Sequence, residues 1–275
     1  MITLVGLAVH PVKSTAVRHV DQAHVEPWGL HDDRRWMVVD PTGECVTARE
    51  HASLLGIQAM TPMTDPGLPV PLRLSAPGAA PLDVEQPHGD PVTVTVHGRS
   101  LDAVCAPFVA TTWLAATLGI EGLRLVLVHR PRPLNPEYGL PGEATAFADG
   151  YPVTLASAAS LRRLDDWVTD GVLERGDVAR HPMAVDRFRP NLVIDGAGPW
   201  TEFSWVGREI RIGGTTLAVM KRTERCAATN VDPDTGIRDL AIPSTLMQAF
   251  GHADCGVYCE VIAGGELEVG DELHA

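Results

Sequence analysis

Short apolar, β-branched runs broken by glycine, proline and aspartate recur along the whole 275-residue chain: ITLVGLAV, RRWMVVD, VTVTV, LRLVLV, PVTLA, NLVIDG, EIRIGGTTLAVM and YCEVIAGGELEVGDEL. Runs of this length and branching suit the pleated backbone of strands. Two stretches read as helices instead. Around Trp113, the residues Val109, Trp113, Leu114 and Leu118 recur at helical spacing, with Gly119 as a C-terminal stop. From Ala158 to Val172, the residues Leu161, Leu164, Trp167 and Val168 recur at intervals of three and four. No strand–helix–strand rhythm repeats, which argues against a doubly wound parallel sheet. The expected fold is mainly β, of the α+β class, with a few packed helices.

Prolines at positions 62, 66, 69, 71, 77, 81, 87 and 91 mark an irregular excursion, because proline cannot donate to a sheet ladder except at an edge. A second irregular stretch, HRPRPLNPEYGLPGEATAFADGYP, follows the Trp113 helix. These features predict two domains, 1–120 and 121–275, with the junction near residue 120.

Twenty-two Lys and Arg against 35 Asp and Glu give a formal net charge of -13, so the surface as a whole repels nucleic acid and anionic membrane. Any basic site must be local. Five cysteines, Cys45, Cys105, Cys226, Cys255 and Cys259, are too dispersed for a disulfide framework and fit a reducing compartment. The opening MITLVGLAVHPVKS lacks the basic start of a secretory signal. The uncharged stretch Ala103 to Ile120 reads as an amphipathic helix rather than a membrane span.

Among candidate motifs, Lys13-Ser14-Thr15 lacks the glycines of a nucleotide phosphate loop, leaving an ammonium and a hydroxyl that either grip a phosphate or are simply solvated. Asp232-Pro233-Asp234-Thr235-Gly236 fails as a calcium loop, since Pro243 stands at the twelfth position, and reads as a tight turn. Cys255 and Cys259 alternate with Gly256, Tyr258 and Glu260, so they share a strand face about 13 Å apart and cannot bind one zinc ion. Cys226 differs: Lys221, Arg222 and Arg225 precede it closely, and positive charge favours the thiolate that attacks substrates or binds metals. A half-buried cysteine at a strand end fits that segment equally well. His10, His31 and His181 carry no motif that ties a base to Cys226, so a cysteine hydrolase is poorly supported. In Asp186-Arg187-Phe188-Arg189-Pro190-Asn191, an arginine fork and an amide entering a strand suit recognition of an anion and a heterocycle edge, or ordinary salt bridging.

Taken together, HPVKS, GLHDDRRWMVVD with VTARE, FADGYPVTLASAASL, FRPNLVIDG, RCAATNVDPDTG and VYCEVIAGGELEVGDEL resemble the MOSC-domain proteins, named for the C-terminal domain of molybdenum cofactor sulfurases. Within them the chain is similar to the amidoxime-reducing branch, over nearly its whole length. The resemblance implies a β-barrel MOSC domain packed with an N-terminal β-barrel-like domain. It implies a molybdenum–pyranopterin (molybdopterin) cofactor, with Cys226 as the protein ligand to the metal and the catalytic position. Lys13, Ser14 and Arg34 would hold the phosphate and pterin end, while Ser157, Arg189, Asn191 and Arg225 would fix the ring system, and Tyr258 is carried over from the final motif. It further implies reduction of small N-oxygenated substrates. A separate electron-transfer protein is expected, because the chain ends before any appended ferredoxin-like domain. The remaining expectations are pyridoxal phosphate binding, a cytoplasmic location and a monomer. The alternative is a carrier of molybdenum cofactor or sulfur that reduces nothing.

Overall fold

The computed structural model describes residues 1–134, 144–174, 176 and 182–275. The middle of the second irregular stretch and His181 lie outside these residues. The chain divides into two compact units that interleave in sequence. One comprises Met1–Ala8, Asp21–Pro27 and Val153–Ala275, and the other Val9–Val20 and Trp28–Pro152. A single cut in the sequence therefore does not reproduce the division.

The first unit is built on a closed ring of seven strands. In order around the ring they are Ile2–Val9, Leu192–Asp195, Val153–Ser157, Asp254–Ala263, Thr215–Glu224, Glu209–Ile212 and Glu272–His274, which pairs with Ile2–Val9 again. Closure leaves no free edge along the ring. Six of the seven neighbouring pairs are antiparallel, and Val153–Ser157 with Leu192–Asp195 is the parallel one. A parallel pair needs a long crossover, and the helix Ala158–Glu174 lies within it. Leu4, Leu155, Leu192, Ile194, Ile212, Leu217, Val219 and Val257 are buried, so the β-branched and leucine runs of the sequence become the barrel core. Cys255 and Cys259 are buried on the strand Asp254–Ala263, as their alternation predicted.

Outside the ring, Leu161, Leu164 and Val168 of the helix pack with Phe188, Ile242, Leu246 and Cys255. This cluster holds the short 3-10 turn Val185–Phe188 and the helix Ile242–Phe250 against the barrel wall. Glu202 is buried in the 3-10 turn Thr201–Trp205; one of its oxygens accepts the Ser160 hydroxyl at 2.9 Å, and the Ser160 Oγ accepts the Trp200 N–H at 2.7 Å. Burial pushes the Glu202 carboxyl above the usual glutamate range, against the opposing pull of the Ser160 hydrogen bond.

The second unit carries a four-stranded sheet in the order Trp36–Val39, Arg124–Val128, Arg99–Cys105, Val92–Val96. A three-stranded sheet follows the order Gln58–Met60, Leu72–Ala76, Ala79–Val84. The proline-rich excursion is thus less irregular than its composition suggests. Pro81 is accommodated because Ala79–Val84 is an edge strand. The Trp113 helix spans Phe108–Leu118 and ends on Gly119 with φ 71°, the stop that the sequence marked. Its buried stripe is Ala110 and Leu114, whereas Val109, expected on that face, is exposed, because it precedes the buried Ala110 and points off the packed side. Among the described residues, no helix is long and apolar enough to cross a membrane.

Two outcomes test this architecture. Ile194→Ala, at a fully buried barrel position, should lower unfolding free energy by about 2 to 5 kcal/mol in urea titrations. Because the folded protein raises the Glu202 carboxyl, the native state holds that proton to higher pH than the unfolded chain does. Its contribution should therefore fall as pH rises from the ordinary glutamate value through the raised one. Glu202→Gln should remove that decline when denaturation midpoints of the two proteins are compared across acidic pH.

Candidate functional site

The long strand Thr215–Glu224 pairs with Asp254–Ala263 through three register shifts, the last between Arg222 and Glu224. The irregularity frees the chain from the ladder just where the site begins. The Arg225 N–H still bonds the Ala253 carbonyl at 2.9 Å. Cys226 then stands in extended conformation, φ -104° and ψ 177°, ahead of the 3-10 turn Ala227–Asn230. Its carbonyl accepts both the Thr229 N–H, at 3.1 Å, and the Thr229 hydroxyl, at 2.9 Å. The backbone of Cys226 is thereby fixed while its side chain remains exposed to solvent.

Arg225 points the other way, into the protein. Its Nε donates to the Cys255 carbonyl at 2.7 Å and its Nη1 to the Phe188 carbonyl at 2.9 Å, with the guanidinium 5.4 Å from the Phe188 ring centre. Its Nη2 is buried and has no hydrogen-bond partner among the described residues. A guanidinium held this far out of water with donor capacity unspent is a seat for an acceptor. The other basic residues before Cys226 do not gather there. Arg222 lies 4.5 Å over the Phe203 ring, and the Lys221 ammonium lies 5.9 Å from the Tyr258 ring.

Arg189 follows the Phe188 carbonyl directly, in a left-handed conformation with φ 50° that non-glycine residues seldom adopt. The 3-10 turn thus brings Phe188 and Arg189 to Arg225. Asn191 is fully buried. Its side-chain oxygen accepts the Thr154 N–H at 3.1 Å, and its side-chain nitrogen donates to the Ala8 carbonyl at 3.2 Å, so the amide stitches barrel strands together. Ser157, also buried, ends its strand and faces the first turn of the helix Ala158–Glu174, with its Oγ 3.5 Å from the Ser160 N–H. Tyr258 lies on the strand between Cys255 and Cys259 and pairs with Thr154 across the ladder. Burial lifts the Cys255 thiol to about 12, against the lowering effect of Arg225, which favours the neutral thiol in the core.

Lys13, Ser14 and Arg34 belong to the second unit. The buried Lys13 ammonium donates to the Phe147 carbonyl at 2.7 Å and to the Asp149 carboxylate, which also meets His97 Nε2 at 2.9 Å. Ser14 and Arg34 both have positive φ, 69° and 49°. The Arg34 guanidinium pairs with Asp33 at 2.5 Å, and the backbone N–H groups of Arg34 and Phe147 bond the His10 and Arg34 carbonyls. Burial alone would push the Asp33 carboxyl up, but Arg34 and the His10 hydrogen bonds outweigh it and hold it well below the usual carboxylate range.

The turn at Asp232–Gly236 forms as expected: Asp232 Oδ1 accepts the N–H groups of Asp234 and Thr235 at 3.1 and 2.9 Å, and Gly236 has φ 69°. What the sequence did not single out is the partner of that turn. The buried Arg187 guanidinium bonds Asp239 with both prongs at 2.7 Å, Asp232 at 2.8 Å and the Asn230 carbonyl at 3.3 Å. The reading of this segment as ordinary salt bridging fits Arg187, but the sequence does not show which carboxylates it meets.

A family description, the MOSC N-terminal beta barrel domain, matches residues 1–121, and a second, the MOSC domain, matches residues 143–274. Mitochondrial amidoxime-reducing component 1 of Mus musculus is 30% identical over 99% of this chain and 82% of its own length. The protein of that name from Homo sapiens is 27% identical over the same shares. Molybdenum cofactor sulfurase of Drosophila mojavensis is 28% identical over 88% of this chain, which corresponds to 29% of that longer protein. The chain thus belongs to the MOSC-domain family, with an N-terminal MOSC β-barrel segment ahead of the MOSC domain itself.

Proposed function

We propose that this protein is a molybdenum-cofactor-dependent oxidoreductase that reduces N-hydroxylated and related N-oxygenated compounds with electrons from a separate protein. The observation that carries the proposal is that an exposed, backbone-fixed Cys226 follows directly on Arg225, whose buried Nη2 is unspent. A soft thiolate suits a metal that prefers sulfur, and an unspent buried donor suits an anionic organic chelate. Both features also fit the relatives, whose names refer to amidoxime reduction and to molybdenum cofactor.

When bound, the molybdenum–pyranopterin group would supply two-electron oxygen removal from nitrogen, with two protons leaving as part of the water formed. The chain's own part is to hold and to screen. Cys226 would provide the protein sulfur. Arg225 would offset negative charge beside it, and Arg189, at the end of the same 3-10 turn, would face the ring system. Asn191 and Ser157 would act from within the barrel by fixing the strand ends that carry their neighbours. In their own unit, Lys13 and Arg34 are cations already balanced by Asp149 and Asp33, so an anion bound there would exchange with those carboxylates.

Metal analysis of protein produced with cofactor supply should give molybdenum in the wild type. Cys226→Ala should retain less by about tenfold or more, since losing a ligand exceeds the usual cost of losing a supporting contact. The wild type should turn over an amidoxime with a chemical electron donor. Molybdenum binding without turnover would point to a cofactor carrier instead. Gly256 supplies a further test: it has φ 75°, and a Cβ there would lie 2.6 Å from the Leu155 carbonyl and 3.0 Å from Arg225 Nη2. Gly256→Ala should cost about 1 to 3 kcal/mol in strain and lower molybdenum content although Cys226 is untouched.

A further inference from the structure

Cys226 lies between two arginine ties that converge on one 3-10 turn. Before it, Arg225 donates to the Phe188 carbonyl. After it, the segment 230–239 returns to Arg187, the residue next to Phe188, through the Asn230 carbonyl and the carboxylates of Asp232 and Asp239. Within that returning segment the Asp239 N–H bonds the Asn230 carbonyl at 3.1 Å, the Asp232 N–H bonds the Ile237 carbonyl at 2.7 Å, and the Arg238 guanidinium bonds the Ala227 carbonyl at 2.9 Å. Asn230 also accepts the Ile242 N–H at 2.8 Å on its side-chain oxygen, which sets the start of the following helix. The sulfur-bearing residue thus follows the first tie of a loop whose two ends are fastened to adjacent residues of the turn Val185–Phe188.

We infer that Arg187 is the positioning residue of the site: it fixes the loop that presents Cys226 through Asn230, Asp232 and Asp239 and not through the thiol. The inference rests on reading Cys226 as the metal ligand for its consequence in catalysis, but not for its geometry. The Arg187 side chain is 3% exposed, whereas those of Asp232 and Asp239 are 24% and 41% exposed. The guanidinium is therefore the buried hub and the carboxylates its outer contacts. A two-pronged bond to Asp239 specifies angle as well as distance, which an ammonium cannot do. A supporting group that orients a metal ligand in this way is expected to govern metal retention about as strongly as many ligands do.

The test compares wild type with Arg187→Lys, Arg187→Met and Asp239→Asn. In the molybdenum-loaded proteins, metal per chain should fall by about tenfold in Arg187→Met, with partial rescue in Arg187→Lys. The electron paramagnetic resonance signal of the half-reduced metal should also shift, since it reports the angle at which sulfur meets it. In cofactor-free protein, iodoacetamide labelling of Cys226, read by peptide mass spectrometry against Cys45 and Cys105, should rise by about threefold or more as the loop loosens. Unchanged metal content and unchanged Cys226 labelling in a folded Arg187→Met protein would overturn the inference. Should that variant fail to fold, Asp239→Asn, which removes one tie at a half-exposed carboxylate, decides by the same two readouts. If the wild type takes up no molybdenum, the proposed function fails, and the labelling arm still decides the role of Arg187.

Discussion

The site depends on guanidinium groups spending their donors on backbone carbonyls and carboxylates away from water. A surface ion pair is worth little, because solvent screens it and two long side chains must be ordered. Arg225 and Arg187 escape that limit by being buried, where a hydrogen bond left unmade costs more than one made in water gains. Removing either leaves acceptors stranded, so each arginine constrains the path of the chain and not merely its charge. The exposed thiol of Cys226 owes its fixed position to this buried scaffold.

The same economy appears in the second unit with different partners. Lys13 and Arg34 are each matched by a carboxylate, Asp149 and Asp33. Asp33 in turn accepts the backbone N–H of His10 at 2.7 Å and meets its ring nitrogen at 3.1 Å. A cation so balanced is poised for exchange of one anion for another, whereas the unspent Nη2 of Arg225 needs no such exchange. Lys13, Arg34 and Arg187 are thus compensated by carboxylates, whereas Arg225 spends its bonds on backbone carbonyls.

Much of this was legible in the chain itself. The mainly β character, the helices Phe108–Leu118 and Ala158–Glu174 but not Ile242–Phe250, the core placement of Cys255 and Cys259, and the turn at Asp232–Gly236 follow from periodicity and turn chemistry, which are local. Cys226 was marked by its basic neighbours, but the fold turns Arg225 inward to the Cys255 and Phe188 carbonyls and sets Lys221 by the Tyr258 ring and Arg222 over the Phe203 ring. Salt bridging was one of the readings of the segment that holds Arg187, but its partners could not be read, since they lie 43 to 52 residues away in sequence. The interleaving of the two units is equally non-local, because it is decided by which strand closes the ring.

That closure has a consequence for how the molecule comes into being. The strand Ile2–Val9 is joined to Glu272–His274, so the ring is sealed by residues at nearly opposite ends of the sequence. Contacts of such long sequence separation are slow to form, because the entropy of closing the intervening chain is lost before the contact repays it. During synthesis the first strand must wait without one of its partners until the last has left the ribosome. The ring closes only when both strands are in place, which makes its completion one of the later steps of folding.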